Sequence, residues 1–170
     1  MKPAFLILLH IGVIGLQAAE PENTLQVFAE QYLRTSAEGH PIVAVTAYYK
    51  RIGDANVLRF KITNVSDKPL TFATPFLPWS GPPLLTLAAL TTDGHRLPNI
   101  YPLIHPNPSP EVTLTPGQSR QGDFDLRDAI DFATAPTDKD IILLWSYSSP
   151  VDFGQRKPVS TGIAIIPKHK

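Results

Sequence analysis

The stretch that decides the fold is residues 57–76, with the sequence VLRFKITNVSDKPLTFATPF. In its first part, the apolar residues Leu58, Phe60 and Ile62 alternate with polar ones. This is the period-two pattern of a β-strand that has one face in a core. Residues 64–69 are rich in turn formers, and the alternation then resumes. The stretch therefore predicts a strand, a turn and a second strand.

The rest of the chain repeats this pattern, with an apolar or alternating run roughly every ten residues and Gly, Pro or Asp between the runs. The repetition predicts an all-β fold, an antiparallel immunoglobulin-like β-sandwich of about seven to nine short strands. No helical pattern separates the strands, so a parallel α/β fold is not expected. The predicted strands are 42–50, 57–63, 70–72, 84–91, 111–115, 118–126, 140–148 and 159–166.

The start of the chain has the parts of a secretory signal peptide. Lys2 supplies an early positive charge, residues 4–16 are almost wholly apolar, and the small residues Ala18 and Ala19 precede an acidic stretch. The apolar run is shorter than the roughly 20 residues that span a bilayer, and an uncleaved membrane anchor is the alternative. We expect bacterial export to the periplasm or the medium, with residues 1–19 as the signal and cleavage after Ala18 or Ala19. Residues 20–170 then form a single domain that does not insert into a membrane.

A short helix is predicted between the signal and the first strand. Apolar residues recur on one face of a helix over residues 25–37, with Asn23 as its cap and Gly39 after its end. A strand is the competing interpretation. The apolar face consists of Leu25, Phe28, Ala29, Tyr32 and Leu33.

Three of the predicted strands carry more specific expectations. The run 140–148 is the most apolar one beyond the signal, so we expect a central strand buried on both faces. The pair Asp93-Gly94 predicts a tight hairpin whose return starts at Arg96. Gly122 predicts a bulge in its strand. The predicted core includes Phe60, Ile62, Leu87, Leu143 and Trp145.

Composition excludes several function classes. The chain has 15 Lys and Arg against 15 Asp and Glu, so its formal net charge is zero, and it has no cysteine. A neutral chain gives no electrostatic argument for nucleic acid or an anionic membrane as a partner. Without cysteine there is no thiol catalysis and no thiolate metal site. Export without disulfides is typical of bacterial periplasmic proteins and less so of small extracellular modules. No cofactor is expected.

Two corners of the chain carry a resemblance to known families. The turn Asn64-Val65-Ser66-Asp67-Lys68-Pro69 follows an alternating strand, and the sequence LTPGQS at residues 114–119 precedes another. They resemble the corners of immunoglobulin-like accessory domains of exported bacterial proteins, and are similar to those of BsuPI-type proteinase-inhibitor sandwiches. The resemblance implies a sandwich that binds a protein. The export signal of this chain distinguishes it from the inhibitor group, which has intracellular members. No inhibitory loop is matched residue by residue, so no functional residue is carried over.

The favoured hypothesis is a non-catalytic exported binding or accessory domain, whose partner is a protein or an envelope component. Its candidate contact residues are Trp79, Tyr101 and His105, which lie in proline-rich loops before and after the predicted hairpin at 84–97. The two ends of a hairpin lie side by side, so we expect both loops at one end of the sandwich. Rigid loops that carry aromatic residues are common contact sites. The alternative role for Trp79 is to fold back and close one end of the core.

The competing hypothesis is a small exported hydrolase or metal-dependent enzyme. It would use His95, His105 and the acidic run at residues 123–131, which holds Asp123, Asp125, Asp128 and Asp131. The chain lacks an H-E-x-x-H pair and the G-x-S-x-G elbow around Ser80. Helix capping and solvation account for the acidic run more simply, and a Ca²⁺ site there would not have EF-hand spacing. We therefore expect no catalytic residue and no metal ligand.

Overall fold

The computed structural model describes residues 42–82, 84–100, 110–150 and 159–168. Most of these residues lie in antiparallel strands, and the only helices among them are single 3-10 turns, so the predicted all-β class is confirmed. The signal at 1–19 and the helix predicted at 25–37 lie outside the described residues. The strands are β1 (Val43–Ile52), β2 (Ala55–Asn64), β3 (Leu70–Ala73), β4 (Leu85–Thr91), β5 (Glu111–Leu114), β6 (Ser119–Asp125), β7 (Ile141–Ser148) and β8 (Val159–Ile166).

The strands form three sheets. Sheet A has the order β1-β2-β6, sheet B pairs β3 with β5, and sheet C has the order β4-β7-β8. The two strands of the deciding stretch separate at the turn, because β2 is the middle strand of sheet A and β3 belongs to sheet B. β7 is the middle strand of sheet C, as its apolar sequence predicts.

The main core lies between sheets A and C. Leu58 and Phe60 of β2 pack into one cluster with Leu143 and Trp145 of β7. The rings of Phe60 and Trp145 meet edge to face, with centroids 5.5 Å apart. A second cluster joins Ile62 to sheet B. All five predicted core residues are buried, and each such side chain contributes about 1.5–3 kcal/mol when it leaves water.

Three details differ from the sequence predictions. β6 pairs with β2 without interruption, Phe60 opposite Gly122 and Arg59 opposite Asp123, so the predicted bulge is wrong. β7 is fully buried on the side of Trp145, whereas Leu144 on its other side is only half-buried. After the Asp93-Gly94 turn, the returning chain runs along β4 without forming a paired strand: it makes an isolated bridge at Arg96 and a bond from Leu97 N to Ala89 O. No strand follows because Pro98 lacks an amide hydrogen. The residues concerned are Gly122, Leu144, Arg96 and Leu97.

A buried side-chain amide ties the two resembling corners together. Asn64 Nδ2 donates to Lys68 O at 2.7 Å and to Leu114 O at 2.9 Å, and its Oδ1 accepts from Ser66 N. Gly117 N in turn donates to Asn64 O, and Gly117 has φ 76°, as a type II turn requires. This one residue therefore fixes the end of sheet A against sheet B.

Candidate functional site

Trp79 lies in the 3-10 helix Pro78–Ser80, between β3 and β4, and its indole enters the core beside β6. The ring covers Gly122, since a Cβ at that position would be 2.2–2.5 Å from Cδ2, Cγ and Cε2 of the indole. The loop is tied down by Ser80 Oγ, which donates to Thr74 O at 2.7 Å. Trp79 packs against both core clusters yet remains half-buried. It thus closes the β6 side of the core and still presents part of its surface to the outside.

An open cleft of about 610 Å³ lies beside that exposed part of Trp79. Its apolar lining comes from Trp79, Pro82, Phe124 and Ile100. Its polar lining comes from Ser80, Arg127 and three carboxylates of the acidic run, Asp123, Asp125 and Asp128. The cleft therefore brings together one of the predicted contact residues and most of the predicted acidic run.

Ile100 reaches the cleft because the chain after the β4 turn runs back along β4. Leu97 N donates to Ala89 O at 2.9 Å, Asn99 Nδ2 donates to Leu87 O at 3.0 Å, and Ile100 N donates to Ala129 O at 2.8 Å. The base of the second predicted contact loop consequently lines the same cleft as Trp79. Tyr101 and His105 themselves lie outside the described residues, so the three-residue contact patch stays a prediction.

Two of the three carboxylates that line the cleft, Asp123 and Asp125, are held by arginines. Arg59 donates two hydrogen bonds of 2.5 Å to Asp123, which lowers the pKa of that carboxyl. Arg127 likewise pairs with Asp125 and lowers its pKa. Asp125 also caps the 3-10 helix Leu126–Asp128 by accepting from Arg127 N at 3.0 Å. Both groups are ionised at neutral pH, unlike a general acid, whose pKa must be raised.

The remaining members of the acidic run are Asp128 and Asp131, which take no part in these two ion pairs. Asp128 is exposed at the rim of the cleft, and Asp131 caps the 3-10 helix Phe132–Thr134 by accepting from Ala133 N at 2.9 Å. The capping and solvated roles expected from the sequence for Asp125 and Asp128 are confirmed. Asp128 can therefore attract a cationic group to the cleft.

His95 is exposed in the turn after β4, where its backbone exchanges hydrogen bonds with Thr91. Nearby, Lys139 and Thr91 hydrogen-bond to Asp93 and lower its pKa to about 2. His105, its proposed partner in an enzyme, is outside the described residues. Within residues 42–82, 84–100, 110–150 and 159–168, no three His, Asp or Glu side chains come together as metal ligands. In that same part of the chain, no helix is long and apolar enough to cross a bilayer.

No protein-family model matches the chain, and no curated protein matches it. The site is accordingly described by its own geometry, and three of its parts were not predicted from the sequence: Arg59, Phe124 and Ile100. Arg59 joins the site through the pairing of β2 with β6, which are far apart in the chain. The signal that was available is the alternation of both strands, which places Arg59 and Asp123 on outward positions.

Proposed function

We propose that this chain is an exported, immunoglobulin-like β-sandwich domain that binds a partner without catalysing a reaction, and that the cleft beside Trp79 is its contact site. The partner is a protein or an envelope component of the exporting cell. Support for export comes from residues 1–19, and support for the fold class comes from two sheets that share one core. Inhibition of a proteinase is a special case of this proposal, suggested by the resemblance of the two corners.

The proposal rests on one observation: the loop that holds Trp79 and the start of the loop that contains Ile100 line the same cleft. Trp79 is held in place by Gly122 and by the hydrogen bond of Ser80, so little side-chain entropy is lost when a partner packs against it. Ile100 adds an aliphatic side chain that is 45% exposed. Tryptophan is one of the residues that most often dominate binding energy, and neighbouring apolar groups such as Ile100 exclude water around it.

The charges around the cleft indicate the chemistry of the partner. Three carboxylates line it, and Arg59 and Arg127 balance two of them, so Asp128 leaves a net negative charge at the rim. An apolar floor with an anionic rim suits a segment that carries an apolar side chain next to a Lys or Arg. Charge complementarity of this kind raises association rates and suppresses wrong partners.

The proposal is tested with the exported mature protein as bait in an affinity capture from the exporting cell's envelope. Ile100→Lys places a positive charge in the apolar lining of the cleft, where it would repel the proposed Lys or Arg, and should weaken capture about tenfold or more, which corresponds to ~1.4 kcal/mol. Val65→Lys is the matched control because Val65 is also an exposed aliphatic residue, 50% exposed, but lies in the turn after β2.

Melting curves accompany both variants, and both should unfold within a few degrees of the unchanged protein, as exposed substitutions do. Selective loss of the captured partner by Ile100→Lys supports the cleft as the contact site. Equal capture by both variants, with unchanged melting, rejects it. Mass spectrometry of the bait shows whether residues 1–19 have been removed, and an intact Met1 rejects the export part of the proposal.

A further inference from the structure

The outer faces of sheets A and C, which point away from the shared core, differ in polarity. On sheet A, most outward positions are polar: Arg59 pairs with Asp123, and the hydroxyls of Thr63 and Ser119 are 2.8 Å apart. The large hydrophobic residues exposed on this sheet, Tyr48 and Ile52, both belong to β1. On sheet C, alternation along the strands places aliphatic side chains outward. They are Ala88, Leu90, Ile142, Leu144, Ile163 and Ile165.

Strand register joins these aliphatic residues into one surface, which we call the sheet C outer face. Ile142 lies between Leu90 on β4 and Ile165 on β8. Leu144 likewise lies between Ala88 and Ile163. Directly opposite side chains in a sheet are close enough to touch, so the aliphatic groups form a continuous patch.

The sheet C outer face is partly covered and partly bare. Ala88, on the β4 side, is fully buried, and Leu144 in the middle is half-buried. Ile163 and Ile165, on the β8 side, are 67% and 58% exposed. A contiguous apolar surface of this kind on a small domain marks a contact site, whereas single exposed aliphatic residues do not.

We propose that residues 25–37 of the same chain pack as an amphipathic helix on the sheet C outer face, over Ile163 and Ile165. This segment lies outside the described residues. Its sequence predicts a helix whose apolar face is formed by residues such as Phe28 and Tyr32, with Glu30 on the polar side. An amphipathic helix needs an apolar surface to cover, and the sheet C outer face supplies one within the same domain.

Chain length allows this packing. β1 lies alongside β8, and Asn56, which pairs with Arg51 of β1, lines the same small pocket as Ile166. The two strands therefore end on the same side, which puts Ile42, just before β1, at the end of the domain where β8 begins at Val159. From there, Ile163 is four residues along the strand, or about 13 Å.

The connecting residues 38–41 can span up to about 14 Å when extended. A helix over residues 25–37 is about 20 Å long, and β8, with eight residues, extends about 26 Å. The helix therefore fits the length of the exposed edge and the connection reaches it. A second copy of the chain is the other possible occupant, and the experiment below distinguishes the two.

The natural absence of cysteine makes paired cysteines a direct test in the full mature chain. Phe28→Cys and Tyr32→Cys are each combined with Ile163→Cys or Ile165→Cys, and Phe28→Cys with Lys61→Cys is the control on the sheet A outer face. A disulfide requires Cα atoms within about 7 Å. Under mild oxidation, at least one of the four pairs should form at least about fivefold more intramolecular disulfide than the control.

Closure no greater than that of the control in all four pairs overturns the proposal. Disulfide-linked dimers from these pairs also overturn it, because they assign the sheet C outer face to a second copy. Hydrogen exchange provides a test that needs no cysteine. Amides of residues 28–36 should exchange at least about tenfold faster in Ile163→Asp than in the unchanged protein or in Lys61→Asp, since only the first removes the packing surface. Equal exchange in all three proteins overturns the proposal.

Discussion

The rings of both tryptophans pack against a glycine of an edge strand, but different features of the fold place them there. Trp145 is the direct cross-strand partner of Gly162, so register alone brings its ring onto β8. Trp79 reaches Gly122 of β6 from a loop that belongs to neither sheet. The comparison shows that the same local fit, an aromatic ring on a strand glycine, arises once from pairing and once from tertiary insertion.

The two rings also differ in what else they do. Trp145 is 3% exposed and meets Phe60 edge to face, so it serves only the core. Trp79 is half-buried and lines the cleft, so it closes the core and contributes to the candidate contact site. Trp79 is thus the tryptophan that a partner can contact, because the side chain of Trp145 is almost completely buried.

The largest expected effect separates the two rings by truncation. Trp145→Ala should lower the free energy of unfolding by about 3–5 kcal/mol, as removal of a buried aromatic side chain does. Trp79→Ala should cost about 2 kcal/mol, because part of its surface is already in water. Urea denaturation followed by far-ultraviolet circular dichroism measures both, with exposed Tyr48→Ala as the control. Equal losses at 79 and 145 would show that Trp79 is wholly a core residue.

The next effect concerns the glycines. Gly122→Ala should cost about 2–3 kcal/mol, because the new methyl group meets the root of the indole at Cγ, where ring rotation gives no relief. Gly162→Ala should cost about 1–2 kcal/mol, because its methyl group meets the outer atoms Cζ2 and Nε1 of Trp145. Denaturation in urea gives both values.

A double-mutant cycle sharpens the result for Gly122. In a Trp79→Leu background the ring is gone, so adding Gly122→Ala should cost less than about 1 kcal/mol. The same background should leave the cost of Gly162→Ala unchanged, since Trp79 does not contact it. If Gly122→Ala costs the same with and without the indole, contact with Trp79 is not the reason that position 122 requires glycine.

The smallest effect is acid-dependent and lies on the strand of Gly122. Arg59 lowers the pKa of Asp123, so this pair stabilises the fold above the unfolded pKa of about 3.9 and the contribution is lost as pH falls through the lower folded pKa. The pair is partly exposed, so the effect is small. Urea denaturation from about pH 5 to pH 2 should therefore show a shallower loss for Arg59→Gln than for Lys61→Gln. Parallel acid profiles for the two variants would show that the pair contributes nothing.

Much of the fold follows from alternation alone. β8 spans the predicted residues 159–166, and β7 begins one residue later than predicted, because aliphatic runs between turn formers leave little choice of structure. The bulge predicted at Gly122 was wrong because a glycine in a strand has two explanations. It can mark a local kink, or it can leave room for a neighbouring side chain where a Cβ would otherwise lie. Only the position of Trp79 in three dimensions distinguishes them.

The candidate site was predictable only in part. Trp79 and the acidic run stood out as a loop aromatic and a charge cluster, and Trp79 and three of the four aspartates line the cleft. Their neighbours Arg59 and Phe124 did not stand out, because they look like ordinary strand residues. Their place in the site depends on the pairing of β2 with β6 and on the return of the chain to Ile100, which are long-range contacts with no local signal.

The buried amide of Asn64 has a consequence for how this protein is produced. Asn64-Val65-Ser66 is an acceptor sequence for N-linked glycans, yet both amide hydrogens are used in the folded protein and the side chain is fully buried. A eukaryotic secretory pathway attaches sugar to chains that are still unfolded, and a glycan at Asn64 would take one of these hydrogens and keep the corner at Leu114 from closing. A bacterial host, which adds no such glycan, leaves the joint between sheets A and B free to form.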